Sequence, residues 1–383
     1  MHLRSFRIFS NKLWNILIYC ATIVFIFIVI AKIIKASTFL LTDGYTTEEI
    51  PVEEETTTEA SYDLSTYNTK TRKGLVTLEE LNEKVFNPLG FEIIYPSFPI
   101  PTLRMTKLME PTCATVFSEY LETTESAFSM PDEVSNDVPQ LHKNDFLMSG
   151  YAAFKQAFPN GDEKSDCPKN WDRISELMEL GKEELIKISD KEDTESMFSA
   201  LHLYPVKRMS GLVVGSVIPW LEVMALQHGA ASILTVESNE LDIEEEYRDR
   251  LSSIDPLEFS KKSGMYTESF DFAATFAFVE RSGLGLNREP MNPIGDLREI
   301  MKIKCVLKRG GLLYLGIPYG IDSVKFHSHR TYGSLRLAMM FSGFEWVATF
   351  SGRSPKRVQL KAQQKQSTNL FGTARYTFVL RKI

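Results

Sequence analysis

The stretch "GLVVGSVIPWLEVMALQHGAASILTVES", residues 211–238, decides the fold. "GLVVG" reads as a short buried strand that ends on a glycine. "PWLEVMALQHG" reads as a helix: Pro219 suits a first turn, Leu221, Met224 and Ala225 share a face, and Gly229 closes it. "SILTVE" is a second strand. Strand, helix and strand in this order predict a parallel α/β unit.

Outward from this unit, the region from about residue 206 continues the alternation. "ELDIEEEYRDRL" is expected to form a charged surface helix and "SFDFAATFAFV" a later strand. "NPIGDLREIMKIKCVLKRGG" predicts a helix ending in a Gly-Gly turn, followed by the strand "LLYLGIP". "TYGSLRLAMMFSG" predicts another helix. "FEWVATF" and "RYTFVLRK" close the chain with no helical pattern between them, so they are expected to pair antiparallel. The expected class is α/β: a Rossmann-like, mostly parallel sheet with an antiparallel C-terminal strand over residues 206–383.

On such a sheet ligands bind beyond the carboxyl ends of the strands, where strand order reverses. Gly215 and Ser216 follow the first strand, where backbone approaches a nucleotide. Glu237 ends the second strand 22 residues after Gly215, near the spacing at which an acid meets ribose hydroxyls. Asp271 and Ala273 lie on the strand expected across the crevice. Each has an ordinary reading too, since glycines make turns and acids often end strands. A dinucleotide would favour G-x-G-x-x-G, whereas the chain reads Gly215-Ser216-Val217-Ile218-Pro219-Trp220. A methyl donor without a pyrophosphate has a looser glycine requirement, which points to S-adenosylmethionine. "KFHSHRTYG" supplies His329 as the preferred base, His327 beside it, and Arg330 to hold an anionic or sugar group. The alternative is that both histidines are plain loop residues. The loop "ERSGLGLNREPMNPIGD" is expected to shape an acceptor pocket, with Asp296 and Arg298 forming a solvated helix start.

The N-terminal half is organised differently. Residues 13–31 carry no charge, a span close to the hydrocarbon thickness of a bilayer. Residues 1–12 are therefore expected as a cytosolic tail and 13–34 as a transmembrane signal anchor. Residues 1–41 carry a balance of +5 and residues 42–60 one of −7. The basic tail predicts a single-pass type II protein facing the Golgi or endoplasmic reticulum lumen. Residues 35–75, rich in Thr and Glu, are expected as an extended stem. Residues 76–205 are expected to be a mainly helical lead-in: Thr77 caps "LEEL" with Glu80 three residues on, and Gly181 divides "NWDRISELMELGKEELIKI". The remaining −5 on residues 61–383, with no basic stripe, argues against nucleic acid. Outside the anchor, Cys113, Cys167 and Cys305 are odd in number and scattered, so no disulfide framework or zinc site is expected. No Asn-x-Ser/Thr occurs, and no Asp-x-Asp to hold a metal against a nucleotide sugar.

"GLVVGSVIPWLEVMALQHGAASILTVESNE", "NPIGDLREI", "LKRGGLLYLGIPYGID" and "HRTYGSLRLAMMFSGF" resemble, in that order, the nematode-expanded domain of unknown function 268 over about residues 80–383. The resemblance implies a fold like class I S-adenosylmethionine methyltransferases, often behind a membrane anchor, with no established activity. On it, Gly215 corresponds to the cofactor loop and Glu237 to the ribose contact. The leading expectation is a lumenal S-adenosylmethionine-dependent methyltransferase acting on a glycan or small-molecule hydroxyl. The alternatives are a non-catalytic methyltransferase-like interaction protein and a metal-independent glycosyltransferase.

Overall fold

A computed structural model describes residues 62–97, 99–106, 112–127, 140–156, 169–188, 191–285, 291–352, 354–357 and 374–383. The expected tail, the anchor at 13–34 and most of the stem lie outside these residues. Among the described residues no helix is long and apolar enough to cross a membrane.

The centre is an eight-stranded sheet formed by β1 (Ser210–Val214), β2 (Ser232–Val236), β3 (Leu251–Ile254), β4 (Phe270–Phe276), β5 (Leu307–Pro318), β6 (Phe344–Ser351), β7 (Ser354–Arg357) and β8 (Arg375–Lys382). Its spatial order is β3-β2-β1-β4-β5-β8-β6-β7. The pairings β3–β2, β2–β1, β1–β4 and β4–β5 are parallel. β8 lies antiparallel between β5 and β6, so the expected antiparallel finish is present. The order runs outward from β1 in both directions, which places the switch point between β1 and β4.

Helices cover both faces. On one side are α2 (Lys191–Leu203) and α3 (Trp220–Gln227); on the other are α1 (Cys113–Ala127), α4 (Pro256–Lys261), α5 (Gly295–Val306) and α6 (Ser334–Met340). Residues Trp220 through Leu226 of α3 are all buried, as a helix apolar on every side requires. α5 starts at Gly295 and passes directly into β5 at Leu307.

Three expectations outside the sheet need correction. "ELDIEEEYRDRL" is not a helix: Leu241–Ile243 is a strand paired with Lys169–Trp171, and Glu245–Tyr247 is a single 3-10 turn. Trp171 sits at 1 % exposure under this pairing, and its burial outweighs the weak helical preference of a run with few apolar residues. Residues 62–75 of the expected stem are folded, since Asn68–Thr71 and Gly74–Thr77 form a hairpin whose Val76 joins the core. The region 76–205 is not mainly helical: Phe91–Tyr95 pairs with Thr102–Met105, and Ala153–Gln156 adds a strand to the hairpin Ser323–Phe326/His329–Thr331. The local readings there hold, with Thr77 Oγ1 accepting from the Glu80 N–H at 3.1 Å and helices Ile174–Glu179 and Lys182–Leu185 parting at Gly181.

Cys113 and Cys305 form a disulfide across a separation of 192 residues. The sequence left the pairing of Cys113, Cys167 and Cys305 open. The pairing is tertiary, joining α1 to the last turn of α5, and no local spacing encodes it.

Candidate functional site

β1 ends on Gly215 with φ +73, a left-handed turn that glycine adopts freely. Its N–H donates to the Val236 carbonyl at 3.0 Å, tying the ends of β1 and β2 together. A methyl group on Gly215 would lie 2.2 Å from the ring of Phe278, just beyond β4. The glycine is therefore needed for ring packing as well as for the turn. After it, Val217 and Ile218 are 46 % and 51 % exposed. The turn is held from below by the Trp171 indole, which donates to the Val217 carbonyl at 3.1 Å.

Ser216 is buried and lies 2.9 Å from Glu222 Oε2 and 3.1 Å from the Ile218 carbonyl. Glu222 has no exposed surface. Thr235 Oγ1, on β2, donates to its Oε1 at 2.9 Å. Burial pushes this carboxyl up to about 7, against hydrogen bonds from its own backbone N–H, Ser216 and Thr235, with a smaller push from Glu237. Glu237 stands at the carboxyl end of β2, 7 % exposed. Its Oε1 accepts from the Asn239 amide side chain at 2.6 Å, the Asn239 N–H at 3.1 Å and Ser238 at 3.2 Å. Gly215, Ser216 and Glu237 are thus brought to one edge, as expected, together with Glu222, which sequence reasoning missed. One signal for Glu222 was present: it is the lone acid in "WLEVMAL".

Asp271 and Ala273 do not join them. Asp271 lies at the amino end of β4, where it accepts from Lys308 Nζ at 2.6 Å and from the Ser210 N–H at 2.9 Å. Ala273 is fully buried in mid-strand between Leu212 and Leu313. A seven-residue strand spans the sheet, so its first residues face the edge opposite the crevice.

His327 and His329 are 5 % and 8 % exposed and flank the turn of a hairpin beyond β5. His327 occupies the left-handed turn position at φ +57, and His329 Nδ1 lies 2.9 Å from Ser328 Oγ. Arg330 is 3 % exposed and donates to the carbonyls of Ser282, Asn292 and Pro293. Its guanidinium is committed to backbone, which corrects its expected role of holding a substrate group. Asp296 is likewise not solvated. It is fully buried and accepts from Arg336 Nε at 3.1 Å and Tyr332 Oη at 3.0 Å, with Arg330 Nε 3.8 Å away. Burial raises this carboxyl, but Arg330 and Arg336 outweigh it and hold the group below its ordinary value. Another buried acid, Glu280, lies 3.0 Å from Arg375 Nε, and Nη1 of the same arginine meets Asp193 at 3.1 Å. The loop after β4 and the start of α5 line a cavity of about 160 Å³ with α1, including Tyr120, Glu122, Gly283, Asn292 and Arg298.

An S-adenosylmethionine-type donor fits this edge in part. Glu237 has the carboxylate a ribose needs, and no described residue bonds its Oε2. The face of Gly215 toward β4, by contrast, is filled by Phe278. A donor would therefore be held from Glu237 and the Ser216–Ile218 turn, not over Gly215.

Residues 208–383 match the model of the family described as Caenorhabditis protein of unknown function, DUF268. The match begins later than the expected residue 80 and covers the sheet. No curated protein matches the sequence. Among solved structures, a 1,6-didemethyltoxoflavin-N1-methyltransferase of Burkholderia thailandensis is 13 % identical, with 55 % of this chain and 86 % of that one covered and a TM-score of 0.37. A SAM-dependent methyltransferase of Methanosarcina mazei is 14 % identical, covering 48 % and 97 %, with a TM-score of 0.31. One from Mesorhizobium loti is 13 % identical, covering 48 % and 96 %, with a TM-score of 0.29. The fold is an α/β fold with a mixed sheet that resembles methyltransferases.

Proposed function

We propose that the protein is a membrane-anchored, lumen-facing methyltransferase that takes its methyl group from S-adenosylmethionine. The observation that carries this reading is the β1–β2 edge, where a left-handed glycine turn at Gly215 and the carboxylate of Glu237 stand together at the carboxyl ends of the strands, on one side of the switch point. The donor would supply an electrophilic methyl group. The chain's part is to hold it: Glu237 accepts from ribose hydroxyls, and the Ser216–Ile218 turn borders the remainder. The acceptor on this reading is a glycan or small-molecule hydroxyl in the 160 Å³ cavity beside Tyr120, Asn292 and Arg298. The uncharged run at 13–31 supports the anchor. The Cys113–Cys305 bridge supports the lumenal side, because disulfides persist in oxidising compartments.

Calorimetric titration of the full chain in detergent with S-adenosylmethionine and S-adenosylhomocysteine tests this. Binding to the wild type and its loss in Glu237→Ala are expected. Absence of binding to the wild type would refute the donor site. The second reading, a non-catalytic protein that keeps the methyltransferase-like fold, is favoured by Phe278 filling the face of Gly215 and by the burial of both histidines and Arg330.

A further inference from the structure

Little in α1 itself holds it in place. Its sequence, "CATVFSEYLETTESA", contains the β-branched residues Thr115, Val116, Thr123 and Thr124, which lower helix propensity. Thr112 caps it, accepting from the Thr115 N–H at 3.2 Å, but its first turn carries no acid and its last turn no base to complement the helix dipole. Over residues 113–124 the buried side chains are Val116 and Phe117. Phe117 meets the ring of Phe259 on α4 edge to face.

Much of the remaining attachment runs along α5. Cys113 is bonded to Cys305, Glu119 pairs with Arg298, and Lys302 Nζ lies 3.4 Å from the centroid of the Tyr120 ring. The start of α1 meets the end of α5 and its middle meets the beginning of α5, so the two helices are antiparallel. The bridge clips one end of the pair. Toward the other end, Tyr120 and Thr123 of α1 form one wall of the cavity of about 160 Å³, opposite Asn292 and Gly295. The bridge is not sealed in the core. It lines a second cavity of about 260 Å³ together with Met105, Met301, Lys304 and Lys382. That is room for a small thiol, and lysines beside a sulfur favour the thiolate that exchange requires.

We propose that Cys113–Cys305 is a thiol-exchange site reached through this second cavity, and that its reduction lets α1 leave α5. The reagent class is a small dithiol or a pair of monothiols. One thiolate attacks a bridge sulfur, forms a mixed disulfide and expels the other cysteine as a thiolate. A second thiol then attacks the mixed disulfide, and the reagent leaves as its own disulfide. Two electrons and the reagent's two protons pass to the bridge, and both cysteines end as thiols. The bridge spans a separation of 192 residues, so opening it returns conformational freedom to a long loop. What remains on α1 is the packing of Val116 and Phe117 and partly exposed polar contacts such as Glu119–Arg298, the low-stability end of a fold. The cavity of about 160 Å³ then loses a wall. Only the consequence for an acceptor rests on the function proposed above; exchange at the bridge and release of α1 do not.

The test uses the full chain in detergent, without denaturant, and dithiothreitol as the reagent. Thiol labelling read by mass spectrometry follows Cys113 and Cys305. Hydrogen exchange follows residues 113–124 beside β1 and β4. Reduction is expected to label both cysteines and to speed exchange in α1 roughly tenfold or more, with β1 and β4 unchanged. The double variant Cys113→Ser, Cys305→Ser is expected to exchange at the fast rate with or without dithiothreitol. A bridge that resists dithiothreitol in the folded protein overturns the site. An α1 that exchanges as slowly after reduction does so too, as does a sheet that loosens along with it, the mark of a plain structural staple. The wild-type measurement decides even if the double variant fails to fold. It needs no donor, so a failed S-adenosylmethionine titration refutes the proposed function and not this site.

Discussion

Two buried acids at the same edge of the sheet behave in opposite ways. Glu222 and Asp296 both have no exposed surface, and burial penalises the charged form of each. Around Asp296 the chain places Arg330, Arg336 and the Tyr332 hydroxyl, and the acid is held in its ionised form. Around Glu222 it places two hydroxyls, the residue's own N–H and the like charge of Glu237, and the acid is pushed toward its neutral form. Burial alone therefore does not set the charge of an interior carboxyl, and neither does a single cation: Glu280 is raised by burial even with Arg375 beside it, whereas two arginines and a hydroxyl hold Asp296 down. The first arrangement is a bolt: it fastens the loop after β4, α5 and the base of α6 together through Pro293, Asp296 and Arg336. The second sits under an exposed turn.

The largest effect is expected from breaking the bolt. Asp296→Ala leaves two buried guanidinium groups without their carboxylate, and a loss of about 3–5 kcal/mol is expected in denaturant unfolding. A loss below about 1 kcal/mol would show that the network is no more than a surface-type pair. The pH dependence sharpens the contrast. The Glu222 contribution is fully present below the ordinary value of 4.5 and is lost as pH rises through about 7. The Asp296 contribution runs the other way: it is present above the ordinary value of 3.8 and is lost as pH falls through the lowered native value.

Glu222→Gln should therefore be more stable than the wild type at about pH 8, by roughly 3 kcal/mol, and indistinguishable from it in mild acid. Equal stability at both pH values would remove the contrast between the two acids. Gly215→Ala is expected to cost about 1–3 kcal/mol, because the methyl group meets Phe278 at a left-handed φ; thermal unfolding measures it. The smallest effect belongs to Asp271→Asn at the far edge. Its pair with Lys308 is partly exposed, and less than about 1 kcal/mol is expected, with donor titration unchanged. A change in that titration would move the site to the wrong end of the sheet.

Much of the sheet was legible in the chain. Apolar runs at 211–214, 233–236 and 312–317, spaced by helical patterns, carry their own periodicity, and the closing pair lacked a helix between its strands. Glu237 was legible for the same reason, since its place follows from where β2 stops. Asp271 was misplaced because the length of β4 beyond it cannot be fixed from a run as uniform as "FDFAATFAF". The charged run at 240–251 misled because its strand exists only through Trp171, some seventy residues earlier in the chain.

The sequence by itself determined most strands and helices of the sheet region, their α/β order and the glycine turn after β1, because these follow from local periodicity and local sterics. Only the tertiary structure decided the charges and the closures. The Cys113–Cys305 bridge, the ring of Phe278 over Gly215, the two arginines on Asp296 and the Thr235 hydroxyl on Glu222 all join residues apart in the chain. The physical reason is that desolvation and Coulomb terms depend on what surrounds a group in space, and a one-dimensional pattern does not carry that information.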